Sequence, residues 1–453
     1  MIMICFGLGP QCVVANETPD LTGIWSTDGY GTVLAITNGS AQVMALGASY
    51  CVPETEAPVP LADLFAEAEF DLTPDGQVLT IGFEREPHRI RAHRLAARPA
   101  PCDMTNEDTP LAVFDIAVDL LSARYPFFAL YDVDWPTHVA TLRAEIHPDM
   151  RPETLFELLS RLLRPLRDGH LSLVAETEGA RQVFSSNPGR IVETLRHAAR
   201  KAGTPVDQAV AGFRRALWHD SIQRDLLGGD GQMIGNGRIQ YGLIAEGVGY
   251  IAFLTIGGFG SDTADTAREQ AETRRLLDLI LADFAQAGVT SLILDLSLNF
   301  GGDDYVAREI AHRFIRRPTH AYTKYAGDAV APIITRLVIR PSDGARFEGD
   351  VIVMTSNVTI SAGEVLTLSL RMQPHVTHVG EATRGALSDV LSLRLPNGWR
   401  LNLSNEVYLD AAGRHWEAVG IPPDIEVPVF DAKDPIASHR SAVLRFAREL
   451  SGN

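Results

Sequence analysis

The sequence predicts an α/β core with a mainly parallel sheet, preceded by a small β domain and a helical bundle. Three observations carry this reading. From residue 248 onward, apolar strand-like runs alternate with helix-length segments, the order that βαβ units produce. Residues 21–100 hold short β-branched runs separated by turn residues. Residues 111–167 repeat apolar positions at helical spacing. The expected boundaries are a signal-like segment at 1–18, the small β domain at 19–104 and the helical bundle at 105–172. A mostly helical connection follows at 173–240, then the α/β core at 241–432 and a C-terminal helix at 433–453.

The elements follow in order. "MIMICFGLGPQCVVANETPD" is apolar and has a small-residue exit at Ala15, as the apolar part of a secretory signal does, yet it lacks a basic start. A frayed terminus and a shortened signal are both compatible with it. In the β domain, "YGTVLAI", "QVMAL", "QVLTIGF" and "RIRAHRL" read as strands, with "TNGS" and "TPDG" as turns. Cys51 and Cys102 flank this segment, and a disulfide between them would fit an extracytoplasmic setting, periplasmic or secreted; two buried thiols are the alternative. "ARPAPCDMTNEDTP" reads as a linker.

In "RPETLFELLSRLLRPL" the apolar positions 155, 158, 159, 162, 163 and 166 share one helix face, with Pro152 at its start and Pro165 near its stop. "LAVFDIAVDLLSA" and "PTHVATLRAEI" add two helices. Residues 173–240 read as mixed and mostly helical, and the Gly-rich "LGGDGQMIGNGRIQYG" as a plain connection, because it lacks the ending of a phosphate-binding loop. In the core, "VGYIAFL", "SLILDL" and "VIVMTS" read as strands. "TADTAREQAETRRLLDLILADFAQ", "DDYVAREIAHRFI" and "AGEVLTLSLRM" read as the helices between and after them. The shorter strands "VTHVG", "VLSLRL" and "WRLNLS" follow, with "PNG" turning a hairpin.

The bulk numbers narrow the partners. A net charge of −17 disfavours a phosphate backbone, so nucleic acid is not expected. No apolar run is long enough to span a bilayer. The Cys spacing supports no zinc site, His375 and His378 lack a third ligand, and no cofactor is expected.

Sites in open α/β sheets gather at the carboxyl ends of strands. Two such ends stand out: "DLSLNFGGDD" and "SNVTISAGE". Gly301 and Gly302 would let backbone N–H groups face a crevice, as an oxyanion hole requires, although a plain tight turn has the same composition. Ser361 and Glu364 fit the S-x-x-E capping box. The same position would set the Ser361 hydroxyl and the Ala362 N–H at the positive end of a helix. A nucleophilic serine needs a base. Most histidines, such as His197, His219 and His439, stand in amphipathic or surface-like contexts, whereas His170 follows an Asp168–Gly169 turn at the end of an amphipathic helix.

The motifs "LRPLRDGHLSL", "GYIAFLTIGGF", "LILDLSLNFGGDD", "VIVMTSNVTISAGE", "VGEATRG", "LPNG" and "GRHWEAVGIPPDIEV" occur in an order that resembles the tail-specific, or C-terminal processing, serine peptidases of family S41. The resemblance runs over about residues 110–430. It implies a ClpP/crotonase-like core, Ser361 as nucleophile, and an oxyanion hole from Gly301 or Gly302 with Ala362. The Ser–Lys branch carries a lysine where this chain has Ala386, so the chain is more similar to the tricorn-core branch. That similarity implies His170 as base and Glu417 as the acidic partner. Gly169 stands where tricorn has a relay serine, and Ser297 where many relatives have arginine. Residues 173–240 do not read as a PDZ module. The resemblance implies a peptide or protein substrate and no cofactor, and it is compatible with an oligomer. The rival reading is a non-catalytic binder of hydrophobic ligands or peptides on the same core.

Overall fold

The computed structural model describes residues 20–65, 68–83, 86–177, 179–260 and 265–452. The signal-like segment lies outside the described residues. The first unit is an antiparallel sheet of β1 (Gly23–Thr27), β2 (Thr32–Thr37), β3 (Ser40–Leu46), β4 (Cys51–Pro53), β5 (Val59–Pro60), β6 (Ala68–Leu72), β7 (Val78–Phe83) and β8 (Glu86–Leu95), with the short helix α1 (Leu61–Leu64). Its strand order is β4-β3-β2-β1-β8-β7-β6, with β5 on β3. The "TNGS" turn joins β2 to β3 through Asn38 and Gly39, both at positive φ, the backbone that a tight hairpin requires. Trp25 is fully buried on one face with Leu34, Leu79, Ile81 and Ala92. On the other face Cys51 is disulfide-bonded to Cys102, which fastens β4 to the linker.

Three helices follow: α2 (Pro110–Arg124), α3 (Trp135–Arg143) and α4 (Pro152–Leu163). They do not close on themselves alone. The buried leucines of α4 share one cluster with Leu173 and Ala175, and with Leu393, Leu401 and Leu403 from far along the chain. Those residues belong to a second sheet, made by β9 (Ser172–Thr177), β10 (Ala180–Ser185), β19 (Val390–Arg394) and β20 (Arg400–Ser404) in the order β10-β9-β20-β19. The segment expected to be mostly helical therefore opens with a hairpin. Only afterwards come α5 (Arg190–Ala202), α6 (Val206–Arg215) and a π-helical segment at 216–226. The Gly-rich stretch is not a plain connection either: β11 (Gln232–Ile234) and the start of β12 (Ile239–Ala245) lie within it.

The core sheet has seven strands in the order β11-β12-β13-β14-β17-β18-β22. Here β13 is Val248–Phe253, β14 Ser291–Asp295, β17 Asp350–Thr355, β18 Val376–Gly380 and β22 Ile425–Glu426. The two β11–β12–β13 pairings are antiparallel, and the pairings from β13 to β22 are parallel. The molecule is thus mixed α/β, with one partly parallel sheet among largely antiparallel ones. A third small sheet has the order β16-β15-β21, from β15 (Thr319–Ala326), β16 (Thr335–Ile339) and β21 (Glu406–Asp410).

Period-2 alternation buries both faces of the core sheet. Ile251, Phe253, Leu292, Leu294, Val351 and Val353 face α7 (Thr266–Gln286), α8 (Asp304–Ala311) and α9 (Ala362–Leu370). Tyr250, Ala252, Ile293, Ile352 and Met354 face α10 (Pro435–Ser451) and the 213–227 region. His439 on α10 is not a surface residue. It is fully buried, its ring 2.8 Å from Asp295 Oδ2, and the Tyr250 hydroxyl donates to the same oxygen at 2.6 Å. An isolated buried carboxylate is costly, so these bonds anchor the last helix to the end of β14.

Candidate active site

The loop after β17 is fastened before it reaches Ser361. Ser356 Oγ donates to the Ser297 carbonyl at 2.6 Å, and Thr359 Oγ1 donates to the Leu296 carbonyl at 2.7 Å. These bonds clamp the serine loop to the loop after β14. Ser361 then enters α9 with φ 57° and ψ −127°, a backbone that a β-carbon strains. Its N–H donates to the Ala386 carbonyl at 3.0 Å and to Glu364 Oε2 at 3.2 Å. Both halves of the capping box are in place, with the Ser361 side chain set toward the Glu364 N–H and Glu364 accepting from the Ser361 N–H, although the Ser361 hydroxyl makes no cap hydrogen bond of full geometry. The side chain is half-buried.

Glu364 does more than cap. Fully buried, it also accepts from Ala386 N–H at 2.9 Å, Gly385 N–H at 2.8 Å and the Thr383 hydroxyl at 2.6 Å. Burial raises its pKa, and these donors oppose the rise. Arg384 ties the same region together, donating to the carbonyls of Asn357 at 2.9 Å and Val358 at 3.0 Å. Neither Glu364 as a clamp nor Arg384 stood out in the sequence; the signal was "GEATRG", read only as a motif lacking a lysine.

The glycine loop abuts the serine. A β-carbon at Gly301 would lie 2.7 Å from Ser361 Cβ and 3.4 Å from its Oγ, and one at Gly302 would lie 2.0 Å from the Ile256 carbonyl oxygen. Both positions exclude any larger residue. The Gly301 N–H is already donated to Asn299 Oδ1 at 3.0 Å, which removes it from the expected oxyanion donors. Among the described residues no hydrogen bond takes up the N–H of Gly302 or of Ala362. Ala362 is the first residue of α9, where a helix leaves its N–H groups unpaired.

The Asp168–Gly169–His170 turn packs against the serine loop. A β-carbon at Gly169 would lie 2.9 Å from both Ile360 Cδ1 and Ala386 Cβ, the residues that precede and hold Ser361. A serine there would not fit without displacing them. Asp168, 1 % exposed, shapes the turn: it accepts from the N–H groups of His170 at 2.7 Å and Leu171 at 3.3 Å, and from the hydroxyls of Tyr125 at 2.9 Å and Ser404 at 3.1 Å. Burial lowers the His170 pKa, and the Asp168 and Asp389 carboxylates resist. Its Nδ1 is buried without a partner, and no hydrogen bond joins the ring to Ser361.

Glu417, 2 % exposed, lies beyond the same segment. Its Oε2 accepts from the N–H groups of Leu387 at 3.0 Å and Ser388 at 3.3 Å, while its Oε1 is buried without a partner. Burial, then the Asp168 and Glu364 carboxylates, push its pKa well up. Glu417 and His170 are not hydrogen-bonded to each other; each keeps one unsatisfied atom. Three of the six non-glycine residues at positive φ among the described residues, Arg167 (φ 45°), Ser361 (φ 57°) and Ala418 (φ 68°), fall in the histidine, serine and glutamate segments respectively. Such strain persists where packing over-determines it, and it gathers at functional sites.

The sequence profile of peptidase family S41 matches residues 247–427, the stretch that carries the glycine loop, Ser361 and Glu417. Residues 247–427 therefore match a peptidase family S41 domain. That domain is the one found in serine peptidases, which are hydrolases. Among solved structures, a candidate peptidase from Parabacteroides merdae is 24 % identical, with a TM-score of 0.58 over 75 % of this chain and 97 % of that one. Mature CPAF, solved with lactacystin, is 13 % identical, with a TM-score of 0.51 over 76 % of this chain and 98 % of that one. At these identities the likeness concerns the fold. No curated protein matches the chain.

Beside this candidate site lies an ionic cluster that the sequence did not reveal. Lys324, almost fully buried, contacts Asp389 Oδ2 at 2.8 Å, Glu406 Oε2 at 3.1 Å and the Tyr408 hydroxyl at 3.1 Å. Asp389 is half exposed, and what desolvation it feels is outweighed by Lys324, which holds its pKa at about 2. The Tyr30 hydroxyl donates to Glu406 Oε1 at 2.5 Å, so the N-terminal sheet's β1–β2 loop touches the same cluster. Among the described residues no acidic, His and Cys side chains form a metal-binding group, and no helix is long and apolar enough to cross a membrane.

Proposed function

We propose that this chain hydrolyses peptide bonds through an acyl-enzyme on Ser361, with His170 as general base and acid. One observation carries the reading. Ser361 stands strained at a helix start with the unpaired Gly302 and Ala362 N–H groups beside it and the His170 turn packed against its loop. His170, in its neutral form, would take the Ser361 proton as Oγ attacks the scissile carbonyl. The tetrahedral oxyanion would meet the Gly302 and Ala362 N–H groups, donors fixed before charge develops. His170 would return the proton to the leaving amine, and water would then release the acyl group by the same path.

Glu417 is the third member. A water between the unsatisfied Glu417 Oε1 and His170 Nδ1 would orient the ring without the hydroxyl that Gly169 cannot supply. The core takes the ClpP/crotonase-like arrangement that the family resemblance implies. The Cys51–Cys102 disulfide supports an extracytoplasmic compartment. The non-catalytic binder is the competing reading, favoured by the absence of a direct Ser361–His170 hydrogen bond. Hydrolysis of a mixed peptide library by the wild type and by Ser361→Ala separates the two. Turnover that vanishes in the variant supports the peptidase reading; turnover that survives refutes Ser361 as nucleophile.

A further inference from the structure

A cavity of about 530 Å³ opens between α4, β10 and α5, away from Ser361. Two of its features are unsatisfied in the chain alone. First, β10 is the outer strand of its sheet and pairs only with β9, so its other edge carries unpaired backbone groups. Val183, Phe184 and Ser185 of this strand line the cavity, and Val183 is 56 % exposed. Second, Arg196 and Arg200 line the opposite wall beside Glu193 and Asp207, and neither guanidinium makes a hydrogen bond or ion pair among the described residues. Arg196 is half-buried; burial and the Arg200 charge lower its pKa, and Glu193 and Asp207 offset this only in part. A third guanidinium, Arg164, lies 5.6 Å over the Phe184 ring.

An open strand edge accepts another strand, and two unpaired guanidinium groups accept carboxylates. The spacing selects among carboxylate ligands. Arg196 and Arg200 are one helical turn apart, about 6 Å. Side chains at alternate positions of an extended strand are about 6.7 Å apart and point the same way. We propose that this cavity docks an extended peptide segment with acidic side chains at alternate positions, added to the free edge of β10. The segment from β10 to α5 is bonded to the serine loop: Arg384 Nη1 donates to the Asn187 carbonyl at 3.3 Å, and Arg190 N–H donates to Asn357 Oδ1 at 2.8 Å. The chain between β10 and α5 is thereby tied to the loop that carries Ser361. Calling the docked peptide part of a substrate rests on the peptidase reading; its binding does not.

The test is fluorescence anisotropy with the full-length Ser361→Ala chain, which keeps the peptide intact. The probe is a labelled peptide of about ten residues, blocked at both ends, with glutamate alternating with valine. Expected are a loss of affinity of about tenfold or more when lysine replaces glutamate, and a similar loss in the Arg196→Gln/Arg200→Gln double variant. Backbone N-methylation of the peptide should weaken binding comparably, because it removes strand pairing. Equal affinity for the glutamate and lysine peptides overturns the proposal. So does undiminished binding of the N-methylated peptide, or binding that requires a free C-terminal carboxylate. The peptide-side changes decide the matter even if the double variant misfolds. Absent hydrolysis by the wild type with peptide binding intact would count against the Ser361 chemistry and not against this site.

Discussion

Gly301 and Ser361 are packed so closely that a β-carbon on the glycine would lie 2.7 Å from the β-carbon of the serine. Gly301 also holds φ 76°, which a side chain disfavours. Gly301→Ala must therefore shift either the glycine loop or the nucleophile. A misplacement of about 1 Å costs on the order of 100-fold in rate. Peptide hydrolysis should fall by at least that much, while stability falls by about 1–3 kcal/mol. Rate and Tm measured together check this, and unchanged kcat/KM would show that the glycine loop does not set the serine's position.

Gly169→Ser restores the hydroxyl found in the tricorn-core pattern, yet activity should fall. The added β-carbon would meet Ile360 and Ala386 at 2.9 Å and push on both neighbours of Ser361. The expected cost is about 1–3 kcal/mol of stability, as overpacking typically exacts. A thermal melt and a hydrolysis rate suffice, and a faster variant would mean that a serine relay fits after all.

These two glycines show how much was legible in the sequence. The order of motifs named the serine, histidine and glutamate segments, and helical periodicity located α2, α3, α4, α7 and α9 within a few residues. What escaped was whatever depends on distant partners. The β9–β10 hairpin and the β19–β20 hairpin form one sheet across more than 200 residues of chain, and no local period announces such a pairing. Buried His439 resembled a surface residue because its partner, Asp295, is 144 positions away. The Gly301 N–H was a reasonable oxyanion donor until Asn299 was found to occupy it.

Glu364 should prove as important to the site as Ser361's immediate neighbours. Its two oxygens serve four donors, from Ser361, Thr383, Gly385 and Ala386. Glu364→Gln presents an amide N–H₂ to donors that need an acceptor. A loss of about 2–4 kcal/mol follows from leaving buried donors unpaired, with hydrolysis falling as the 383–386 segment releases Ser361. Chemical denaturation gives the stability, and a variant as stable as the wild type would refute the clamp.

Glu406 makes stability pH-dependent in a stated direction. Burial, then repulsion from Asp389, push its pKa up to about 7, against Lys324 and the Tyr30 hydroxyl. An acid whose folded pKa is raised binds its proton more tightly in the folded chain. Its contribution is complete below its ordinary pKa of 4.5 and is lost as pH rises through 7. Glu406→Gln, neutral throughout, should lack that decline, so the two stability curves should diverge by on the order of 2 kcal/mol across this window. Melts from pH 4.5 to 8 check it, and parallel curves would place the titration elsewhere.

The central claim, that Ser361 is a nucleophile activated by His170, is tested most directly by fluorophosphonate labelling followed by mass spectrometry of the digested chain. The account predicts one adduct, on the peptide containing Ser361, formed about 100-fold or more slower in His170→Ala. An unlabelled Ser361, or labelling at the same rate without His170, would contradict it.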